Sequence, residues 1–381
     1  MLKDGYFYNN YFSASQFFRV KEAKPLQNLV QQVQANCRIA TAAQVGYYSL
    51  CGMLLRLRQL YKWEQGLLPW QEGHPQEVLA WIAQQEEAWH DLAETDLRDL
   101  QWQSRRLNPF AITEVNQLVA AEGLAYGAGF THGLAPMCFL GELWEREQRY
   151  GLTILILGPE LARDMDAAPA LRQGETIYLR TEPLAFYLWD HLADPTKQNN
   201  IFFKVALAAR GLDPAAWLQQ PDRYAAAFQE MLKAQGEAMV YHEIGEALEP
   251  TLQDTLPAIV HRLPHSKVER YIRALKDALA DLNEWGRLVH IVQQRDLPQL
   301  ALLLAWRPGF YPYLIPELEP AFWELQRTRD WGVIEAAREN ALKRLRHTAQ
   351  ELECLWAEMG DWDKDRQQRQ VEQRFICPLG L

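Results

Sequence analysis

The sequence predicts an α+β protein, predominantly α-helical, with a small, mostly antiparallel sheet of about four strands flanked by N- and C-terminal helical regions. Three observations predict it. Apolar residues recur at helical spacing through residues 1–105, and between 124 and 180 the pattern shortens to runs of strand length. The helical period then returns at Glu182 and persists to about Met359.

The first helical pattern runs from Pro25 to Trp63 and carries "SLCGMLLRLRQLYKW". The second runs from Pro75 to Leu100 through "PQEVLAWIAQQEEAWHDLAE". Between them "GLLPWQEGHP" (66–75) holds the glycines and prolines that interrupt a helix, so the pair reads as an αα-hairpin. "QSRRLNPF" (103–110) marks a boundary, after which Thr113 is placed to cap a short helix that Gly123 ends. "LAYGAGF" (124–130), "PMCFLGELWERE" (136–147), "LTILILG" (152–158) and "TIYLR" (176–180) read as strands, with "QRYG" as a hairpin turn between the middle two. Helices are expected at 182–193, 199–210, 221–249, 266–281, 297–306, 318–328 and 331–358, punctuated by Pro250, Pro257, Pro264 and Pro298. The chain thus divides into a helical hairpin region over 1–105, a central α+β domain over 106–290 and a C-terminal helical region over 291–381. Its last stretch, "DWDKDRQQRQVEQRFICPLGL", turns from charged to apolar and is expected to dock back.

A composition of 48% hydrophobic and 23% charged residues suits a globular protein with a sizeable core. The net charge of −10 argues against a nucleic-acid or anionic-membrane surface. Arg56, Arg58 and Lys62 make only a small basic face, read as solvated helix surface. Five cysteines (37, 51, 138, 354 and 377) form no CxxC pair, so neither a disulfide framework nor a zinc knuckle is indicated. Cys51 and Cys138 read as core residues of a helix and a strand. "MLKDGYFYNNYF" lacks the basic-then-apolar order of a signal peptide, and no apolar run approaches the length of a bilayer span. The expected compartment is the reducing cytoplasm; partner and oligomeric state are not legible.

The chemistry concentrates in "VYHEIGEALE" (240–249). On a helical wheel His242 and Glu246 fall beside Phe228, Met231, Leu232 and Met239, extending the apolar stripe, while Glu230, Lys233 and Glu237 point to solvent. Residues four apart are stacked neighbours, so one ion could bridge the pair. Imidazole and carboxylate together suit zinc, iron or manganese. This stretch resembles the HExxH helix of the zincin metallopeptidases, with Glu246 in place of the second histidine. The resemblance covers residues 124–249 and includes a small sheet preceding the motif helix. It implies a metal-dependent hydrolase with His242 and Glu246 as ligands, Glu243 as general base, and a third ligand from a later helix, where "KVERYIRALKDALAD" offers Glu269. Glu249, His261, His265 and His290 are further candidates. The alternative is a helical scaffold or interaction protein, or a degenerate zincin, in which His242 and Glu246 are a buried structural pair.

Other constellations point elsewhere. A ferritin-like di-metal bundle needs two ExxH motifs, and only Glu87 and His90 supply one, better read as exposed. "GLAYGAGFTHG" (123–133) lacks dinucleotide spacing and reads as strand glycines that permit close approach, with Thr131 and His132 beside them as pocket candidates. Neither a nucleophile elbow nor a Walker sequence occurs. Beyond the motif helix, "LYKWEQGLLPW", "RLNPF", "LAYGAGF" and "YHEIGEALE" together resemble a group of cytosolic bacterial proteins known only as hypothetical. That resemblance runs over most of the chain and implies one intact unit with no assigned activity.

Overall fold

The computed structural model describes residues 24–131 and 134–381, so the opening segment and His132 lie outside the described residues. Two compact units are present. The first holds the described residues up to Asp194 together with Pro221–Gly236, and the second holds Pro195–Gln220 and Glu237–Leu381.

In the first unit, helices α1 (Lys24–Gln44), α2 (Leu50–Glu64) and α3 (Pro75–Leu92) replace the expected hairpin of two. The pattern over 25–63 is broken because Ser49 caps a new helix, accepting from Gly52 N at 3.2 Å. One consequence is that Cys51, expected in a helix core, lies in the exposed first turn of α2. A two-stranded hairpin, β1 (Leu100–Trp102) with β2 (Arg105–Leu107), occupies the expected boundary. Helix α4 (Ile112–Val119) starts before Thr113, which therefore does not cap it; Gly123, at φ +72°, does end the segment.

The main sheet has five strands in the order β3 (Leu124–Phe130), β4 (Pro136–Arg149), β5 (Leu152–Arg163), β7 (Thr176–Arg180), β6 (Ala170–Gln173). Every pairing is antiparallel except β5 with β7. Tyr150 and Gly151, both at positive φ, make the β4–β5 turn that "QRYG" announces. Gly127 pairs with Phe139, whose ring would lie 2.2 Å from a Cβ at that position, so this glycine serves close approach. Helix α1 covers the sheet through Leu29, Val33 and Cys37, which pack with Tyr126, Cys138 and Leu140. Cys138 is the buried strand residue expected of it. The basic face of α2 is not solvated as expected: Lys62 is 1% exposed, bonded to Pro69 O and Glu72, and Arg58 pairs with Glu72 and Asp190. Helix α5 (Thr181–Ala193) follows β7 directly.

The second unit is helical throughout. It contains α6 (Ile201–Ala208), the later part of α7 (Ala225–Leu248), α8 (Thr255–Arg262), α9 (Lys267–Leu282), α10 (Arg287–Gln294) and α11 (Leu297–Ala305). A single turn, Tyr311–Leu314, leads to α12 (Leu318–Thr328), α13 (Gly332–Glu358) and α14 (Lys364–Val371). The apolar end of the chain docks as expected: Val371, Phe375 and Ile376 are buried, and Gln367 donates to Met359 O at 2.9 Å. Among the described residues no helix is long and apolar enough to cross a membrane.

Helix α7 differs from its wheel. From Met231 to Glu249 no residue is exposed, and Lys233 and Glu237 are partly buried rather than turned to solvent. No face of this stretch is fully exposed, so the partial burial of His242 reflects the helix and not a stripe.

Candidate metal centre

Two helices build the site. Helix α7 supplies His242 and Glu246, one turn apart, and α9 supplies Asp277 and Asp281, also one turn apart. They meet because Gly245 leaves room. A Cβ there would stand 2.0 Å from the Ala280 carbonyl oxygen, and Asn283 Nδ2 donates to Gly245 O at 2.7 Å. His242 thereby faces Asp281 and Glu246 faces Asp277, an antiparallel pairing of the two helices.

One ligand atom each from His242, Glu246 and Asp277 lie within 4.8 Å of one another. Among the described residues this is the one such group of histidine, cysteine and carboxylate side chains. His242 and Glu246 are partly buried, whereas Asp277 is exposed, so the group opens to solvent on the α9 side. Asp281 lies 1% exposed behind it, and its Oδ1 is 2.7 Å from His242 Nδ1. A carboxylate offers only acceptors, so Nδ1 carries the proton and Nε2 is the nitrogen left for an ion.

The charges follow from these contacts. Burial raises the Asp281 carboxyl, but Arg287 and His242 outweigh it and hold the group well below the usual carboxylate range. Burial disfavours a charged His242, yet Asp281 beside it lifts the ring to about 9. Asp277 is raised from the usual carboxylate range by partial loss of water around its carboxyl, with Glu246 and Asp281 adding to the shift and His242 opposing it, and its exposure limits the size of the effect. Without an ion, the centre is an imidazolium among carboxylates.

The residues fit a divalent ion. Ligand atoms about 2.1 Å from an ion stand roughly 3–3.5 Å from each other, within the 4.8 Å limit that the three groups meet. One nitrogen and two carboxylate oxygens make an oxygen-rich set, suited to manganese or iron as well as zinc. Three protein ligands leave coordination positions for water.

The structure brings His242 and Glu246 together as the sequence expects, but it does not bring Glu269 to them. Glu269 occupies the third position of α9, where Ser266 Oγ accepts from its N–H at 3.0 Å. Its carboxylate accepts from His265 N and from Arg273 Nε, at 2.9 Å for the latter. Ser266 thus caps the helix and Glu269 reaches back to the backbone one residue before the cap, a variant of the capping box legible as Ser-x-x-Glu in "SKVE". Asp277, two turns further along α9, takes the place expected of Glu269. Glu249 is fully buried and accepts from Thr251 Oγ1, Asn283 Nδ2 and Arg346. His290 stacks on Tyr241 with ring centroids 4.1 Å apart, and His261 lies exposed on α8. Glu243 is partly buried on α7 and is not one of the three converging groups. Glu87 and His90 are exposed, as the sequence reading has them.

Asp277 and Asp281 are the residues sequence reasoning missed. Their i, i+4 spacing was the available signal. Comparison with known families gives two matches: the N-terminal domain of a family of unknown function (DUF6866) over residues 28–180, and the C-terminal domain of the same family over 185–374. No curated protein and no solved structure matches the chain.

Proposed function

The chain belongs to the DUF6866 family, and we propose that it is a divalent-metal-binding, hydrolase-like protein whose ion is held by His242, Glu246 and Asp277. The observation that carries this reading is the convergence of an imidazole and two carboxylates, from two helices, on one partly open point. His242, Glu246 and Asp277 would hold the ion, His242 giving up its Nε2 proton to do so, and the ion would supply Lewis acidity toward a water beside it. Glu243, beside His242 on the same helix, is the proposed general base. The preferred ions are manganese or iron, with zinc third, because two of the three ligands are carboxylates.

A second reading is favoured by the 2.7 Å contact between His242 and Asp281. Here the charged ring only joins α7 to α9 and no ion is needed. Elemental analysis of untagged protein, incubated with Mn²⁺, Fe²⁺ or Zn²⁺ and desalted, separates the two. The ion-binding reading expects about one equivalent in the parent and less than about a tenth in His242→Ala. A parent retaining less than a tenth of an equivalent of every ion would leave only the structural pair.

A further inference from the structure

The carboxylate of Asp281 faces two ways. Its Oδ1 accepts from His242 Nδ1 at 2.7 Å, while its Oδ2 accepts from the Tyr311 hydroxyl at 2.6 Å and from the Arg287 guanidinium. Arg287 is an obligate donor, since a guanidinium has no acceptor, and the Tyr311 phenol, kept protonated by burial and the Asp281 charge, donates to the carboxylate. Asp281 is 1% exposed, so solvent does not compete for either oxygen.

Resting on the ion-binding reading above, we infer that Asp281 is a positioning residue that holds the His242 ring in its Nδ1–H form, with Arg287 and Tyr311 fixing Asp281 in turn. Nε2 then keeps the lone pair that an ion requires. The chain of contacts runs from the ion site through His242 and Asp281 to α10 and the Tyr311–Leu314 turn.

Asparagine at 281 tests this with almost no change of shape. Arg287 can only donate toward the Oδ2 position, so the asparagine carbonyl must sit there, where the Tyr311 hydroxyl can donate to it as well. Its NH₂ then faces His242 Nδ1, which must accept, and the ring proton moves to Nε2. The substitution removes the needed lone pair while leaving every proposed ligand in place.

The experiment uses full-length protein labelled with ¹⁵N-histidine, free of metal, titrated upward until the His242 signals stop shifting and the ring is neutral. His242 is assigned by comparison with His242→Gln. The parent is expected to carry the proton on Nδ1, and Asp281→Asn on Nε2. A parallel titration with Zn²⁺ alone is expected to give binding about 10–100-fold weaker in Asp281→Asn. A variant that keeps its proton on Nδ1, or binds zinc as tightly as the parent, overturns the inference. A parent that binds none of Mn²⁺, Fe²⁺ and Zn²⁺ overturns the ion-binding reading instead, while the tautomer measurement still decides the role of Asp281. Should Asp281→Asn not fold, Tyr311→Phe removes one of the two donors at Oδ2. It is expected to weaken zinc binding several-fold with the Nδ1 proton retained, and an unchanged zinc affinity overturns the inference.

Discussion

Glu182 opens α5 in the first unit with its carboxyl pushed up to about 7, chiefly by burial; Arg163 opposes the shift and Glu160 adds to it. The folded state therefore holds this proton more tightly than the unfolded chain, where a glutamate titrates near 4.3. The associated stability is fully present below the unfolded value and is lost as pH rises through about 7. A shift of this size corresponds to roughly 4 kcal/mol at most. Glu182→Gln keeps an acceptor for Trp63 Nε1 and for Glu160 N. Urea midpoints at pH 5 and pH 8 are expected to fall less between the two for this variant than for the parent; equal falls would refute the assignment. At this scale the sequence marked His242 and Glu246 correctly as neighbours, because i, i+4 spacing is a property of one helix. It did not mark Glu182 or Asp281, whose environments are assembled from residues distant in the chain.

The contact between α7 and α9 rests on Gly245, the small residue inside "HEIGE". With a Cβ placed 2.0 Å from the Ala280 carbonyl, Gly245→Ala must push the helices apart. The expected cost is about 1–3 kcal/mol in urea denaturation, together with weakened binding of the proposed ion. An unchanged midpoint would mean that the helices separate freely, and the close approach would not then matter. This contact also explains the exchange of Glu269 for Asp277. The sequence offered several acidic residues on α9, and only the axial register of the two helices selects the one that faces Glu246. Glu269 had already been claimed by its own helix end. Elements with strong period and clear punctuation, such as α9 and the β4–β5 hairpin, were legible. The four-residue β6 and the parallel pairing of β5 with β7 were not, since neither leaves a local pattern.

At the scale of the whole molecule, an ion that binds only the folded chain stabilises it in proportion to its excess over the dissociation constant. At 100-fold excess the gain is about 2.7 kcal/mol. Differential scanning calorimetry of the parent with Mn²⁺ is therefore expected to show an upward shift of a few degrees. EDTA should reverse it and His242→Ala should not show it. A parent whose melting temperature ignores both manganese and chelator would favour the structural pair. The sequence by itself determined the class of the fold, a mostly helical chain around a small sheet, because hydrophobic period and turn chemistry act over neighbouring residues. It likewise determined that His242 and Glu246 share one helix face. Only the tertiary structure decided that α7 keeps no fully exposed face from Met231 onward, that Asp277 joins the pair, and that Asp281 stands behind His242. Those facts depend on which turn of one helix meets which turn of another, and that register is set by packing between segments more than thirty residues apart.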